Sequence, residues 1–500
     1  MNTTQSNITN QLKRTARDSL IYLPAKVAPA IIGILLIRVL TSLFTKEEYG
    51  YYQIALSTFG LIRVAGVIWL STSVTRFYLH FKNQNQERQF FSTLFVSALA
   101  GALLVAILSF LINFFIFKSR IEPILFSLVN LVIAASVFNA FFEIFIVVFR
   151  AGLEARKYST FWLLFTAGKP LLGVGLILFF GYRVSGIFWA FLIVPLLLDI
   201  ITFIRLDLIH LVRPSAVSVP LFKQFAKFGI PISFSFFSFW LLSLSDRYLI
   251  EIYRNTAEVG LYSVGYTISE KTLNFAYMVL MLAAYPIIVE NWENHGNEQT
   301  QALITELTRY FMFLCMPILV VLVVIPEQIL LLFSDKKFIE GAGVLPFIAI
   351  GVFISGLTQY VIKGWELHQK SVKIATLALT AGLTDILLNL ILIPRFGFIG
   401  AGISACCAYS VYFLATVFFV RKEMAWHPPY RAIATNLAAA IVFGLFLSGM
   451  AIVVQNVLIT AFMIVPFGVI LYFLILILLK EITRDEIRKG WRLMTGLLKG

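Results

Sequence analysis

Apolar segments of about 20 residues follow one another along almost the whole chain, separated only by short polar breaks. A helix of this length crosses a bilayer core, where every backbone hydrogen bond must be made within the protein. Hydrophobic residues make up 59% of the 500 and charged residues 13%, so a fold in water would leave much apolar surface exposed. We therefore predict an all-α integral membrane protein with about 14 transmembrane helices.

Basic residues are distributed unevenly between the loops that separate these spans. The predicted spans begin near residues 20, 50, 91, 122, 158, 183, 226, 257, 303, 341, 371, 398, 430 and 457. Loops on the side of the N-terminus hold most of the Lys and Arg residues, as the positive-inside rule describes for cytoplasmic loops. We expect a multi-pass protein of the inner (cytoplasmic) membrane with both termini in the cytoplasm. The net charge of +14 follows this topology and does not indicate a nucleic-acid partner.

Two segments of the chain recur about 210 residues later. Residues 166–190 align without a gap to residues 380–404, and both begin with Thr-Ala-Gly. Glu48-Tyr-Gly-Tyr-Tyr52 recurs as Glu258-Val-Gly-Leu-Tyr262. Both recurrences pair spans that are six apart, which predicts two pseudo-symmetric lobes of six helices followed by two additional helices. Chance similarity among apolar helices is the alternative.

The spans and the repeat divide the chain into five parts. Apolar residues at helical spacing between basic residues favour an amphipathic helix at the C-terminus, which lies on the anionic inner surface or binds a cytoplasmic partner. The parts are a cytoplasmic N-terminal segment (1–19), an N-lobe of spans 1–6 (20–210), a C-lobe of spans 7–12 (211–425), spans 13 and 14 (426–480) and a cytoplasmic amphipathic tail (481–500).

Three cations lie near the middle of predicted spans. Arg63, Lys169 and Lys271 are about ten or more residues from both ends of their spans, roughly 15 Å along a helix axis. Their side chains do not easily reach the headgroups, and a central Arg or Lys facing lipid costs roughly 2.5 to 3.5 kcal/mol. We therefore predict that these three residues line a shared aqueous cavity.

Other charged residues within the spans extend this prediction. Lys26, Arg38 and Arg247 lie within about two helical turns of a span end, where lining the cavity and reaching the headgroups are both open. Adjacent residues on a helix project about 100° apart, so partners are expected from other helices or from a ligand. The anions expected to pair with these cations or to bind a coupling ion are Asp246, Glu143, Glu270 and Asp385.

An excess of buried cations over anions favours an anionic cargo, such as the diphosphate of a polyprenyl-linked sugar. Arginine would bind phosphate oxygens bidentately, and lysine would act as a point charge. The histidines form no cluster with metal-ligand spacing and no P-loop occurs, so we expect no metal, no cofactor and no catalytic residue. The predicted outer loops are short, which disfavours an envelope polymerase or ligase.

Short motifs occur in a fixed order over residues 36–265. They are Arg38-Val-Leu40 with Glu47-Glu-Tyr-Gly-Tyr-Tyr52, Val74-Thr-Arg-Phe-Tyr78, Phe149-Arg-Ala-Gly-Leu-Glu154, and Asp246-Arg-Tyr-Leu-Ile250 with Val259-Gly-Leu-Tyr-Ser263. In this order they resemble the polysaccharide and oligosaccharide flippase family. Its superfamily, the multidrug/oligosaccharidyl-lipid/polysaccharide flippases, also contains the multidrug and toxin extruders and the lipid II flippase.

The resemblance implies two lobes around a central, often cationic cavity that opens alternately to each side of the membrane. It implies outward transport of an undecaprenyl-diphosphate-linked repeat unit for O-antigen, capsule or exopolysaccharide synthesis, with Arg38 and Asp246 at usual family positions. Implied partners are the lipid-linked oligosaccharide, membrane lipids, an H+ or Na+ coupling ion, and the polysaccharide polymerase and glycosyltransferases. A multidrug or toxin antiporter is the nearest alternative, although such proteins have about twelve spans and carboxylates for cation coupling.

Overall fold

The computed structural model describes Pro24, residues 27–483 and Glu486. All regular secondary structure within this part of the chain is helical, which confirms the predicted all-α fold. Lys26, the N-terminal segment and most of the predicted amphipathic tail lie outside the described residues. The chain forms two compact units, Met1–Gly260 and Leu261–Gly500.

The first unit is built from ten helices in its described part, of which six are longer than 20 residues. A π-helical turn, Asn113–Phe117, extends the fourth helix. The helices are α1 (Val27–Leu43), α2 (Lys46–Gly66), α3 (Ile68–Asn83), α4 (Glu87–Ile112), α5 (Pro123–Ala151), α6 (Ala155–Phe180), α7 (Val184–Arg205), α8 (Leu208–Leu211), α9 (Val219–Leu244) and α10 (Asp246–Tyr253).

The remaining helices begin with a long one that enters the second unit. A 3-10 segment, Lys336–Val344, and a π-helical turn, Thr460–Ile464, connect two pairs of them. They are α11 (Thr256–Val324), α12 (Pro326–Phe333), α13 (Leu345–Val361), α14 (Lys363–Leu367), α15 (Ser371–Phe396), α16 (Phe398–Val420), α17 (Tyr430–Val453), α18 (Val457–Ile459) and α19 (Val465–Leu478).

Eleven helices among the described residues are long and apolar enough to cross a membrane, and the number reaches 12 when α2 and α3, bent by 43°, count as one span. Helix α11 has 69 residues and is interrupted at Gly296, whose φ of 72° and ψ of −155° are not helical. An unbroken helix of that length would measure about 100 Å, about three times a bilayer core. The predicted count of 14 requires α11 to cross twice and α1 to cross as well, and it stays a prediction.

Helix α5 is the most enclosed helix of the first unit. Of its most apolar 18-residue window, 78% is buried, which is typical of a helix that is apolar on all sides. Phe142 of α5 stacks on Phe165 of α6 with ring centroids 4.4 Å apart, and Phe145 packs edge-on against Phe203 of α7 at 5.5 Å. Because α5 is surrounded by other helices, a polar side chain near its middle contacts protein rather than lipid.

The first repeated segment forms a helical hairpin at both of its positions. Residues 166–190 run from α6 into α7, and residues 380–404 run from α15 into α16. A Cβ atom at Gly186 would lie 3.2 Å from Ile177 Cγ1, and one at Gly400 would lie 2.4 Å from the carbonyl oxygen of Leu392. Both glycines therefore let the second helix of the hairpin begin close against the end of the first.

The second repeated segment brings two glycines into a reciprocal contact. A Cβ atom at Gly50 would lie 2.0 Å from the carbonyl oxygen of Thr256, and one at Gly260 would lie 2.2 Å from that of Lys46. The shift along the sequence that relates Gly50 to Gly260 also relates Lys46 to Thr256. The first turns of α2 and α11 thus meet as equivalent surfaces, as in an isologous contact.

Candidate functional site

Arg63, Glu143 and Lys169 come together in the first unit, on α2, α5 and α6. Arg63 Nε donates a hydrogen bond of 2.6 Å to Glu143 Oε2, and this pair joins residues that are 80 positions apart. Lys169 interacts electrostatically with both Glu143 and Arg63. The structure therefore gathers two of the three central cations with one predicted anion, and it confirms that Arg63 has a partner on another helix.

The two members of the ion pair differ in exposure. The Glu143 side chain is 8% exposed and that of Arg63 is 40% exposed. A carboxylate buried in the middle of α5 needs a cation, because an unpaired buried charge is strongly destabilising. The hydrogen bond uses Arg63 Nε, which leaves the two Nη groups to donate to another acceptor on the exposed side. Arg63 lies three residues before α2 ends at Gly66, close to the bend between α2 and α3.

Aromatic rings surround the amino group of Lys169. Its Nζ lies 3.5 Å from the ring centroid of Phe165 and 4.5 Å from that of Phe191. The face of an aromatic ring attracts a cation, and the attraction increases when water is excluded. Among the described residues, Glu143 is the acidic group that acts on Lys169, so the cluster contains two basic side chains and one acidic side chain.

Asp246 and Arg247 lie in the first turn of α10 and are both buried. Asp246 is fully buried, and Arg247 is 2% exposed and donates from Nη1 to the carbonyl oxygen of Ser243 at 2.8 Å. The charge of Arg247 also lies near the hydroxyl groups of Tyr49 and Tyr248. Protein atoms enclose this guanidinium in the present conformation, and a role for Arg247 in a cavity stays a prediction.

Arg38 is exposed on α1, so its side chain has an open face. A role for Arg38 in a cavity stays a prediction. Lys26 is outside the described residues.

Lys271 and Glu270 lie next to each other on α11 in the second unit. Lys271 Nζ is 3.9 Å from Glu270 Oε2, and the side chains are 40% and 33% exposed. The expectation that adjacent residues find no partner in each other was wrong for this pair, because both side chains are long enough to curve together. An exposed ion pair of this kind contributes little to stability, which leaves Lys271 available to other anions.

Asp385 belongs to a buried polar network in the α15–α16 hairpin. Its Oδ1 accepts a hydrogen bond from Ser404 Oγ at 2.8 Å, and its Oδ2 accepts one from Asn389 Nδ2 at 3.0 Å. All three residues are fully buried. The network joins the two helices of the hairpin, and a role of Asp385 in ion coupling stays a prediction.

The sequence analysis missed Asp199, which is 5% exposed on α7. It lies six residues before α7 ends at Arg205. The signal that identifies it is its place among apolar residues that become buried when α7 packs on α5 and α6. In the part of the chain that the structure describes, no three His, Cys, Asp or Glu side chains are arranged to hold a metal ion.

Known proteins resemble this chain in sequence and in fold. The probable flippase AglR of Haloferax volcanii is 22% identical over 440 residues, which cover 86% of this chain and 88% of that protein. The lipid II flippase MurJ, in an inward closed conformation, has a TM-score of 0.75 at 14% identity over 94% of this chain and 99% of that one. An inward-facing multidrug resistance MATE transporter has a TM-score of 0.60 at 13% identity, over 81% and 98% of the two chains.

The fold is therefore that of the superfamily that the motifs indicated, and similarity to transporters supports the prediction of a multi-pass membrane transporter rather than an enzyme. A model of the family described as polysaccharide biosynthesis protein matches residues 39–341, well over half of the chain. This match confirms the resemblance found in the motifs, and the chain belongs to the polysaccharide biosynthesis protein family.

Proposed function

We propose that this protein is a flippase that moves a polyprenyl-diphosphate-linked oligosaccharide across the inner membrane during synthesis of an O-antigen, capsule or exopolysaccharide. The cluster of Arg63, Glu143 and Lys169 within the span helices is the observation that carries the proposal. Family membership and the resemblance to the probable flippase AglR and the lipid II flippase MurJ support it. We also propose that the protein works by alternating access between two lobes.

In this mechanism the diphosphate of the cargo binds the Nη groups of Arg63, while Nε keeps its hydrogen bond to Glu143. Without cargo, Glu143 neutralises Arg63 through a single hydrogen bond of 2.6 Å. A diphosphate offers more negative charge and several acceptor oxygens, which suit the fork of the Arg63 guanidinium. Charges about 4 Å apart interact by about 4 kcal/mol near a protein surface, so a second negative charge beside Lys169 would add to the affinity for the cargo.

Four further predicted cations belong to the proposal. Lys271 of the second unit is half-exposed and pairs only loosely with Glu270, so it is able to contact an anionic sugar or phosphate. Arg38, Lys26 and Arg247 are kept as further candidates for these contacts. We expect export to depend less on them than on Arg63 and Lys169.

An apolar pocket in the second unit suits the other end of such a cargo. It has a volume of about 290 Å³ and lies between α11, α12 and α19, where its lining includes Pro317, Val321, Phe333, Val469 and Phe473. Each isoprene unit transferred into such surroundings gains from apolar burial. We propose that a lipid chain occupies this pocket.

Replacement of single cations tests the proposal. We expect Arg63→Ala, Lys169→Ala and Lys271→Ala each to reduce export of the surface polysaccharide about tenfold or more, because a lost charge-assisted hydrogen bond costs about 1.5 to 3 kcal/mol. Export is measured in cells that contain each variant at the normal protein level. Lys336→Ala, which removes an exposed lysine at the first residue of the 3-10 segment Lys336–Val344, is the matched control and should export normally. Full export by all three variants would contradict the proposal that the protein recognises its cargo through these positive charges.

A double variant separates recognition from stability. Arg63→Ala alone leaves the buried Glu143 carboxylate without its cation, so reduced export could follow from a less stable protein. Arg63→Ala combined with Glu143→Gln removes both charges. We expect the double variant to recover the unfolding temperature of the natural protein but not its export. Recovery of export would mean that the ion pair has only a structural role.

The fold shared with the MATE transporter favours a second candidate function, a multidrug or toxin antiporter. The cation excess of the cluster argues against it for cationic drugs, because like charges repel. Deletion of the gene distinguishes the two functions. An antiporter predicts increased drug susceptibility with normal surface polysaccharide, and a flippase predicts the reverse.

A further inference from the structure

Asp199 is a buried carboxylate in α7. The residue is 5% exposed, and neither of its carboxylate oxygens has a hydrogen-bond partner among the residues that the structure describes. Thr202, one helical turn later, is fully buried, and its hydroxyl also lacks a partner in the described part of the chain. These two residues place unsatisfied oxygen atoms on one face of a 22-residue helix that is apolar enough to span a membrane.

The charged side chains on α7 and on the helices packed against it contact other groups, lie near the start of α7 or are exposed. These helices are α2, α5, α6 and α8. The engaged groups are Arg63 with Glu143, Lys157 with Glu154, His210 with Asp207, Arg150 with Thr75 and with the ring of Tyr158, and Lys169 with the rings of Phe165 and Phe191.

The other titratable groups on these helices are also accounted for. The first two turns of α2 hold six of them: Lys46, Glu47, Glu48, Tyr49, Tyr51 and Tyr52. Glu48 forms an ion pair with Arg183 at the start of α7. Asp199 is 16 residues after Arg183, about 24 Å further along α7. Arg156 of α6 and Arg205 of α7 itself are exposed.

An ionised carboxylate in such surroundings is unstable. Burial without a hydrogen bond or a cation strongly disfavours the charged form, and a buried acid responds by taking up a proton. Ionisable residues within membrane spans also mark proton relays in pumps and transporters. A neutral Asp199 can stay in this position, and an ionised one requires a conformation that opens its site to water.

We propose that Asp199 is a proton-binding site, protonated in this conformation and deprotonated in the alternate one, through which a proton gradient drives the transport cycle. This inference rests on the proposed flippase function. A proton suits the site better than Na+, because a hard metal cation requires several oxygen ligands at once. The proton is bound and released without any other covalent change.

Carbodiimide labelling tests the protonation state independently of transport. Dicyclohexylcarbodiimide modifies protonated carboxyl groups in apolar surroundings, and mass spectrometry of the full-length protein locates the modified residue. At pH 7 we expect Asp199 to be modified and the modification to disappear in Asp199→Asn. Glu423, which is ion-paired with Lys370 at 2.6 Å and Lys373 at 2.8 Å, is the internal control and should stay unmodified. No modification of Asp199 between pH 5 and 7 would overturn the proposal, as would protection by NaCl but not by KCl.

A vesicle experiment tests the coupling. The full chain is reconstituted with a fluorescently labelled polyprenyl diphosphate, and movement between leaflets is followed by quenching with an impermeant reductant. We expect a proton gradient to accelerate movement by the natural protein about 5-fold or more. Asp199→Asn should move the lipid at the rate seen without a gradient and should not respond to one, and Asp199→Glu should regain the response.

The outcomes separate the two proposals. A response to the gradient that persists in Asp199→Asn would overturn the coupling role, as would a natural protein that moves the lipid but ignores the gradient. If Asp199 is labelled at pH 7 but no form of the protein moves the lipid, the proposed transport function fails and the proton site stands.

Discussion

At the scale of single residues, the same kind of charged side chain has different consequences in different surroundings. Glu143 is buried and paired with Arg63, whereas Asp199 is buried and has no hydrogen-bond partner among the described residues. The first arrangement gives a carboxylate a cation, and the second gives a carboxylate neither a cation nor a hydrogen bond among the described residues. The two proposals, anion recognition and proton binding, therefore involve different carboxylates of the first unit.

Glu423 provides a prediction about acid stability outside the spans. Hydrogen bonds from Lys370 and Lys373 lower the pKa of this carboxylate from its usual 4.5 to about 2. A pKa that is lower in the folded state adds stability above the usual value, and this stability is lost as the pH falls through the folded value. We expect the unfolding temperature to decrease between about pH 4.5 and pH 2.

The Glu423→Gln variant tests this origin of the acid sensitivity. It should unfold at a lower temperature than the natural protein at pH 7, and its unfolding temperature should change less over the acidic range. The unfolding temperature is measured by calorimetry of the protein in detergent at a series of pH values. An identical decrease in both proteins would assign the acid sensitivity to other carboxylates.

At the scale of helices, glycine decides how closely two elements approach. Gly50 and Gly260 allow the first turns of α2 and α11 to contact each other through backbone atoms. Gly186 and Gly400 have a similar effect within the two hairpins. Glycine is needed at these positions because a side chain would prevent the close packing. The backbone conformation does not require glycine there, since any residue can adopt a helical φ.

Gly50→Ala should destabilise the protein because the new methyl group would lie 2.0 Å from the carbonyl oxygen of Thr256. The two helix ends would have to separate, and we expect a cost of about 1 to 3 kcal/mol, as for overpacked cores. Gly175→Ala in α6 is the matched control, because a Cβ atom there would have no neighbour within 4 Å. The control should be neutral or slightly stabilising, since alanine favours helix. The two variants are compared by thermal unfolding. Equal stability would show that the contact between Gly50 and Thr256 adjusts to a methyl group without loss of unfolding free energy.

At the scale of the whole molecule, the chain is divided between two compact units and α11 continues from one into the other. The break at Gly296 lies between two helical parts, each long enough to cross a bilayer. If α11 crosses twice, the break marks a loop on one side of the membrane. The distribution of basic residues predicts that this side is the cytoplasm.

Cysteine labelling tests this orientation. The exposed Asn294 lies two residues before the break and tolerates a new side chain better than Gly296, whose positive φ favours glycine. We expect Asn294→Cys to react with an impermeant maleimide only after the inner membrane has been opened. The background should lack the natural cysteines, because Cys407 is exposed. Labelling in intact cells would reverse the predicted topology.

Helix positions were the part of the fold most accessible from the sequence. The spans expected near residues 371, 398, 430 and 457 begin where α15, α16, α17 and α18 begin. Hydropathy and turn residues such as Gly397 and Pro429 are local properties of the chain, and they set these boundaries without information about neighbouring helices. For the same reason Arg63, Glu143 and Lys169 could be recognised as charges within spans.

The sequence alone therefore determined the helices, the membrane environment, the repeated segments and the presence of charges that need partners. Only the tertiary structure decided that Arg63 pairs with Glu143 across 80 residues, that Lys169 is held between two phenyl rings and that Asp199 is buried without a hydrogen-bond partner in the described part of the chain. The physical reason is that the cost of burying a charge depends on which helix faces meet. Hydropathy and periodicity describe each helix separately and contain no record of that pairing.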